Sequence, residues 1–318
     1  MQPNTDNSGE HSATGCPPVL FLVFNRPDLT IRVFEAIRKA RPDRLYVAAD
    51  GPRASHADER AKCEATRALA TRVDWPCQVK TLFRTDNLGC RRAVSSAIDW
   101  FFEHEPEGIV LEDDCLPSTS FFAYCGELLA KYRTDERVWQ VCGSRYVPDD
   151  IGLEDASYFF SRYGPVWGWA SWRRAWKSFD ADLKAWPQMR EEPTISSAYP
   201  DAIEKKAKVR LGDKLYRGEI DTWDYQWGMA KNFNHGLSIV PAKNLILNIG
   251  FGQDATHTVT SNKHFPTEQF EIDFPLRPPR FVLPQADHDR IYRSRFIGSG
   301  VSDLWPDARK VARSVFGA

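Results

Sequence analysis

Gly108-Ile109-Val110-Leu111-Glu112-Asp113-Asp114-Cys115-Leu116-Pro117 joins a short apolar run to three consecutive carboxylates. Glycine at one end and proline at the other mark it as a buried strand whose carboxyl end opens onto a loop. Three adjacent acids repel one another, so a folded chain keeps them where a cation or a set of hydrogen-bond donors balances the charge. Oxygen ligands of this kind suit a hard divalent ion, Mn2+ or Mg2+, and the expectation is that this edge holds a metal–diphosphate. Acids at strand ends also serve as helix caps and solvated turn residues. Context tips the balance: an apolar lead-in precedes them, Pro117-Ser118-Thr119-Ser120-Phe121-Phe122 follows like the start of a helix, and ligands of open α/β sheets sit at the carboxyl ends of strands.

Upstream, the chain alternates as a sheet with crossover helices does. Val19-Leu20-Phe21-Leu22-Val23-Phe24 is continuously apolar, hence a strand buried on both faces. It ends at Asn25-Arg26-Pro27-Asp28, after which Leu29, Val33, Ile37 and Ala40 share one helical face. Leu45 to Ala49 is a second strand ending at Asp50-Gly51-Pro52-Arg53, and a helix from Ala57 to Thr71 follows. A strand from Val79 to Phe83 leads through Arg84 and Asn87-Leu88-Gly89 to a helix over Cys90 to Glu103, which returns the chain to the acidic strand. Such repetition predicts a mostly parallel sheet with right-handed crossovers. All carboxyl ends then share one edge, so Asn25, Arg26, Asp50, Arg84, Glu112, Asp113 and Asp114 can converge. The sequence has neither a Walker A motif nor GxGxxG, which disfavours a P-loop NTPase or a dinucleotide-binding dehydrogenase.

With 318 residues, 42% hydrophobic content and a formal charge of -1, the chain is of the ordinary globular class. It lacks the concentrated positive charge that phosphate-backbone binding requires, so nucleic acid is not an expected partner. No apolar run approaches a membrane span. Met1 to Gly15 shows no secretory signal and reads as a disordered tail. Seven cysteines are scattered with no CxxC pair, which argues for buried thiols in a reducing cytoplasm.

Downstream the character changes. Tyr163 to Trp172 is rich in glycine and aromatic rings, which both fill cores and stack on the apolar face of a sugar; three tryptophans in six positions suggest a sugar or acceptor wall. Asp180 to Gly218 is polar and charged, with a helix over Ala202 to Leu211, and reads as a solvated insertion or lid. Asp221-Thr222-Trp223-Asp224 begins a helix that runs to about Asn234, with Asp221 as N-cap and Asp224 at N3 on the structural reading. Leu245 to Ile249 is a late strand leading to Gly250-Phe251-Gly252 and His257. Prolines at 266, 275, 278, 279 and 284 mark an irregular extension, and Leu304 to Phe316 is amphipathic at helical spacing with Arg309, Lys310 and Arg313 interleaved.

The ordered set of Asn25-Arg26-Pro27, Asp50-Gly51, Asn87-Leu88-Gly89 and Glu112-Asp113-Asp114 resembles the nucleotide-binding half of a GT-A glycosyltransferase. Ile109 to Asp114 with Phe121-Phe122-Ala123-Tyr124 is similar to the EDD segment of the N-acetylglucosaminyltransferase I group. The closer likeness is to bacterial family 2-like nucleotide-diphospho-sugar transferases. It covers about residues 17 to 260 and includes Gly168-Trp169-Ala170-Ser171-Trp172, Thr222 to Trp227 and Asn244 to Gly252.

The resemblance implies a GT-A catalytic domain over 17–260, split into a nucleotide-binding half (17–145) and an acceptor half (146–260). It is flanked by the tail 1–16 and by the extension 261–318 with its C-terminal helix. It implies a metal-dependent, inverting hexosyl- or N-acetylhexosaminyltransferase that moves a sugar from a nucleoside diphosphate to a glycan or lipid-linked acceptor, in cell-surface polysaccharide or glycolipid synthesis. Asp114 would coordinate Mn2+ or Mg2+; His257, read from its place after the glycine segment, is either a ligand of the metal or diphosphate or a hydrogen-bonded loop histidine. Glu112 and Asp113 would face the ribose or donor sugar, Asp50 the nucleobase, and Asn25, Arg26 and Arg84 the base or diphosphate. Inversion needs one carboxylate to take the acceptor's proton; the family's tryptophan-flanked WDDW-like acid maps onto a segment one residue longer here, WDYQW, so Asp224 is preferred and Asp221 is the second choice. From its spacing alone, the amphipathic C-terminal segment is either a helix docked on the body or a peripheral foot on anionic lipid at the inner membrane face, the second of which would suit a lipid-linked acceptor. Two other classes remain in play: a non-catalytic sugar-nucleotide or glycan-binding module, which needs no base, and a metal-dependent phosphoesterase, which usually needs further His or Asp ligands for a two-metal site and is disfavoured by the sparse histidines.

Overall fold

In the computed structural model, residues 15–147, 150–153, 155–251 and 265–297 are described. The first half alternates β1 (Val19–Val23), α1 (Pro27–Ala40), β2 (Arg44–Ala49), α2 (Glu59–Ala70), β3 (Gln78–Phe83), α3 (Gly89–His104) and β4 (Glu107–Glu112). A two-residue turn at Asp113 and Asp114 then leads to β5 (Cys115–Pro117) and α4 (Ser120–Lys131). Next come β6 (Val138–Cys142), β7 (Tyr158–Ser161), β8 (Trp169–Trp172) and α5 (Arg173–Trp176). Three helices follow, α6 (Trp186–Met189), α7 (Thr194–Ala198) and α8 (Ala202–Tyr216). The chain returns through α9 (Asp224–Phe233), β9 (Leu237–Pro241), β10 (Ile246–Asn248) and a 3-10 turn, Ile249–Phe251, and the last described helix is α10 (Ala286–Phe296).

Eight strands form one sheet in the order β3-β2-β1-β4-β8-β6-β9-β7, and β5 pairs with β10 in a separate ribbon. β3, β2, β1 and β4 are mutually parallel; β8 runs antiparallel between β4 and β6, and β7 antiparallel beside β9. The expected α/β architecture, a mostly parallel central sheet flanked by helices, is therefore present.

The unbroken apolar run of β1 has a direct cause. Val19, Phe21 and Val23 face one core with α1 and α4, while Leu20 and Leu22 face a second with α3 and a group of tryptophans. Both faces exclude water, so neither set can be polar. Arg26 starts α1, and Pro27 sits at its first turn, where a missing N–H costs nothing.

Several readings are corrected. The Tyr163–Trp172 segment supplies a central strand: Trp169 is fully buried among Trp176, Trp223 and Trp227, Trp172 is buried in the core on the other face of the sheet, and both belong to the core rather than to an acceptor wall. Only Trp167 of these three is half-buried. The 180–218 region is a packed unit, for Leu183, Trp186, Ile195, Ala198, Tyr199 and Leu215 share a small core with Met229 of α9. The extension contains an unforeseen helix, α10, docked through Asp289, which accepts from Ser161 Oγ at 2.5 Å and from the Arg162 amide at 3.1 Å. Glu271 from the same extension caps α4, accepting from the Thr119 and Ser120 amides at 3.0 and 2.7 Å. His257 and the 304–316 segment lie outside the described residues. Among the described residues no helix is long and apolar enough to cross a membrane.

Candidate active site

β1, β2 and β4 end at one edge of the sheet, and each delivers a polar group from the turn that follows. Arg26 emerges just past β1, its backbone fixed by Pro27 and by its carbonyl accepting from the Thr30 amide at 2.9 Å. Its guanidinium spans the acidic turn: one nitrogen bonds Asp113 Oδ1 and another lies 3.2 Å from Asp114 Oδ2. Both carboxylates are buried, at 1% and 2% exposure, where such a partner offsets the cost of enclosing negative charge. Burial pushes Asp113 up to about 6 despite the pull of Arg26. Glu112, the last residue of β4, is half-buried; burial, then the charges of Asp114 and Asp113, push its carboxyl well above the ordinary value, with Asp224 adding to the repulsion.

The far side of the acidic turn is closed by the β10 ribbon. The Ile249 amide donates to the Asp114 carbonyl at 2.8 Å, and the Gly250 amide donates to Asn248 Oδ1 at 2.9 Å. A Cβ at Gly250 would stand 2.7 Å from Asp114 Oδ2, so glycine is what lets the 3-10 turn approach the carboxylate. Asn248 and Gly250 lie in the Asn244–Gly252 stretch that the resemblance includes, but their place against the acidic turn comes from the pairing of β5 with β10, which the sequence does not show.

A second acidic pair has a different task. Asp50 closes β2 and accepts from the amides of Gly51, Leu88 and Gly89 at 2.9, 3.0 and 3.1 Å. Asp221 accepts from the amides of Cys90 and Arg91 at 2.8 and 3.0 Å. Both carboxylates therefore sit on the positive end of α3, satisfying amides that the helix itself leaves open. Gly89 between them has φ +76, and a Cβ there would lie 2.6 Å from Asp221 Oδ2. This corrects the reading of Asp221 as the N-cap of α9: the residue before α9 is Trp223, and Asp221 caps a helix 130 residues upstream. Burial raises the Asp50 carboxyl above its ordinary value, partly offset by these amides and by Arg84.

Asn25 and Arg84 are placed less directly. Asn25 donates to Glu59 Oε1 at 2.8 Å, on a buried carboxylate that Arg53 also binds. Burial opposes ionisation of Glu59, but the hydrogen bonds from Arg53 and Asn25 outweigh it and hold the carboxyl low. Arg84 donates to Ser96 Oγ at 2.7 Å and lines a small pocket with Leu22, Ala48, Asp50 and Val94 at the ends of β1 and β2.

Asp224 is the first residue of α9, where the helix dipole favours a negative charge, and Thr222 Oγ1 donates to one of its oxygens. Burial raises its carboxyl above the ordinary value; hydrogen bonds from Thr222 and from the amides at the head of α9 draw it partly back, and the charge of Lys208 on α8 adds a smaller pull in the same direction. The charge of Asp224 reaches Glu112 and the phenols of Tyr146 and Tyr292, both held high mainly by burial. One electrostatic neighbourhood thus takes in the end of β4, the head of α9, α8 and α10. Lys208 and Tyr292 were missed because they come from segments whose sequence reads as surface.

Among the described residues, no group of three His, Cys, Asp or Glu side chains is placed to hold a metal unaided. Asp113 Oδ2 is nonetheless buried without a hydrogen-bond partner, beside Asp114. That donor set fits a hard cation which takes one or two carboxylates and completes its shell with phosphate oxygens and water.

No protein-family model matches the chain, and no curated protein matches it. Among solved structures, the chain is similar to UDP-glucose pyrophosphorylase complexed with UDP-glucose, at 8% identity over 74% of this chain and 93% of that one, with a TM-score of 0.37. Mouse xyloside xylosyltransferase 1 in its apo form gives 12% identity, 69% and 82% coverage and a TM-score of 0.35. HddC from Yersinia pseudotuberculosis gives 13%, 50% and 77%, and 0.31. Overlap this loose transfers no activity, and the functional reading rests on the site.

Proposed function

We propose that the protein is a metal-dependent glycosyltransferase of the GT-A type, using a nucleoside diphosphate sugar and a hydroxyl acceptor with inversion at the anomeric carbon. The observation that carries this is the meeting of two kinds of carboxylate in one neighbourhood. Asp113 and Asp114 are buried and braced by a guanidinium, while Asp224 stands apart on a helix start, half-buried and raised in proton affinity. A buried, braced pair is suited to hold a cation. A raised carboxyl with one oxygen tied down is suited to take a proton.

In this reading Asp114, with Asp113, holds Mn2+ or Mg2+, which when bound supplies charge neutralisation for the departing diphosphate. Arg26 and Arg84 orient the phosphates and Glu112 the sugar-proximal end. Asp224 accepts the acceptor hydroxyl's proton as that oxygen attacks the anomeric carbon. Asp50, whose oxygens are engaged by three amides, shapes the nucleobase pocket through the turn at Leu88 and Gly89. The acceptor is a glycan or lipid-linked saccharide whose hexosyl or N-acetylhexosaminyl donor belongs to cell-surface polymer or glycolipid assembly, at the cytoplasmic membrane face.

The experiment is a thermal-shift panel of UDP-, GDP- and dTDP-sugars with and without Mn2+, followed by donor hydrolysis. One nucleotide should stabilise the protein in a Mn2+-dependent way. Asp224→Asn should keep that shift while losing on the order of 10²-fold or more in turnover. Absence of any nucleotide-sugar shift ends the proposal; a shift with no turnover in the parent protein favours a binding module instead.

A further inference from the structure

The acidic turn already contains a cation, and it is covalently attached. Arg26 bonds Asp113 Oδ1 and lies 3.2 Å from Asp114 Oδ2, the oxygen against which the Gly250 backbone also packs. Its side chain is 17% exposed while those of Asp113 and Asp114 are 2% and 3% exposed. Arg26 is therefore the least enclosed side chain of the trio, although its Nε is buried without a hydrogen-bond partner. Its backbone is pinned by Pro27 and the first turn of α1, so any movement is confined to the side chain. Beside this contact, Asp113 Oδ2 is buried and has no hydrogen-bond partner, an acceptor left over after Arg26 has been counted.

A divalent ion on Asp114 Oδ2 would sit at about 2.0–2.6 Å from the oxygen. Placed there, it would share a single carboxylate with a positive group held at hydrogen-bond distance, and the two cations would repel strongly in a water-poor site. Either the ion stays out or the guanidinium moves. A diphosphate gives the guanidinium somewhere to go, because its paired oxygens match the planar donor fork as well as a carboxylate does.

We infer that Arg26 is a resident counter-ion of the donor site: it braces Asp113 and Asp114 when the site is empty, competes with the divalent ion for them, and transfers to the donor's diphosphate once both are bound. This rests on the glycosyltransferase reading and adds an order to it. Metal alone binds weakly because Arg26 must be displaced with nothing to receive it. Metal and nucleoside diphosphate bind cooperatively because each removes the obstacle to the other, a coupling that is reciprocal by linkage. Arg26 is thus a positioning residue whose signature is in binding, separable from turnover.

The test titrates Mn2+ into the full-length protein and follows the free-ion electron paramagnetic resonance signal, with and without saturating UDP, GDP or dTDP, for the parent, Arg26→Met and Arg26→Lys. The parent should bind Mn2+ weakly alone and about tenfold or more tightly with one of the nucleotides, within the usual range of coupling between sites. Arg26→Met should bind Mn2+ alone about tenfold more tightly than the parent, with the nucleotide adding little. Arg26→Lys, which keeps the charge but cannot span two carboxylates, should fall between them and guards against misfolding of the methionine variant. Equal Mn2+ affinity in parent and variants, each with unchanged circular dichroism, overturns the inference and leaves the metal-dependent reading standing. No Mn2+ binding by any protein, with or without nucleotide, overturns both.

Discussion

Asp221 and Asp224 differ by three positions and, on the proposed function, have opposite uses, a difference of hydrogen bonds rather than of residue type. Each oxygen of Asp221 accepts one amide, from Cys90 and Arg91, which fixes the carboxylate on the start of α3. Asp224 has one oxygen engaged by Thr222 and a carboxyl whose proton affinity burial has raised. Asp221→Ala should therefore cost about 1–2 kcal/mol of stability, the usual loss for an N-terminal cap, read as a lower urea midpoint with unchanged slope. Donor turnover of the folded fraction should change little. Asp224→Asn should show the reverse pattern. An Asp221→Ala protein that keeps its urea midpoint while losing turnover would exchange the two assignments. The sequence cannot separate the pair, since capping and catalysis both put acids at a helix start; what separates them is a contact with a helix 130 residues away.

At the scale of elements, α9 links the site to the core. Asp224 opens the helix, and two turns later Lys231 is buried at 1% exposure, donating to Gln140 Oε1 at 2.9 Å and to Ser238 Oγ. Burial lowers its ammonium from an ordinary 10.5 to about 8. Between these values the unfolded chain holds a proton that the folded one has released, so this residue's contribution makes the protein more stable as pH rises from about 8 to 10.5 and less stable below. Urea denaturation of the parent and Lys231→Met across that window isolates the effect from the buried thiols and phenols, which both proteins share. Whatever its sign, the stability of the variant relative to the parent should fall by about 2–3 kcal/mol from the acid to the alkaline end, and a constant difference would show that Lys231 is not titrating. The elements themselves were largely legible: β1, α1, β2, α2, α3 and β4 follow from runs and periodicities that packing on both sheet faces imposes. β8 was not, because aromatic residues beside glycines describe a sugar wall and a central strand equally well, and only the pairing of Ile109 with Ala170 decides between them.

On the scale of the whole molecule, the 180–218 unit is held against the sheet rather than left as a loose lid. Tyr163 donates to the buried Glu204 carboxylate at 2.9 Å and its ring stacks on Tyr292 at 4.6 Å, Arg162 donates to the Ala198 carbonyl, and Arg293 lies 3.6 Å from Asp201. This fixes α8, and with it Lys208, whose charge reaches Asp224 from outside the sheet. The helix itself was expected over Ala202 to Leu211, but its docking was not legible, since a helix with Glu204, Lys205, Lys206 and Lys208 reads as solvated, and its purpose depends on which face meets α9 and α10. The consequence is testable in the pH dependence of turnover. If Asp224 is the base, the acid limb of the profile reports its ionisation in the enzyme–substrate complex. Lys208 favours the carboxylate, so Lys208→Met should move that limb to higher pH, by roughly half a unit to one unit for the loss of one neighbouring charge. Lys208→Arg should restore it. A limb that stays in place in Lys208→Met would detach α8 from the chemistry and reduce the helical unit to a brace. A limb that moves down would mean that the titrating group is not Asp224, because removing a positive neighbour cannot make a carboxylate a stronger acid.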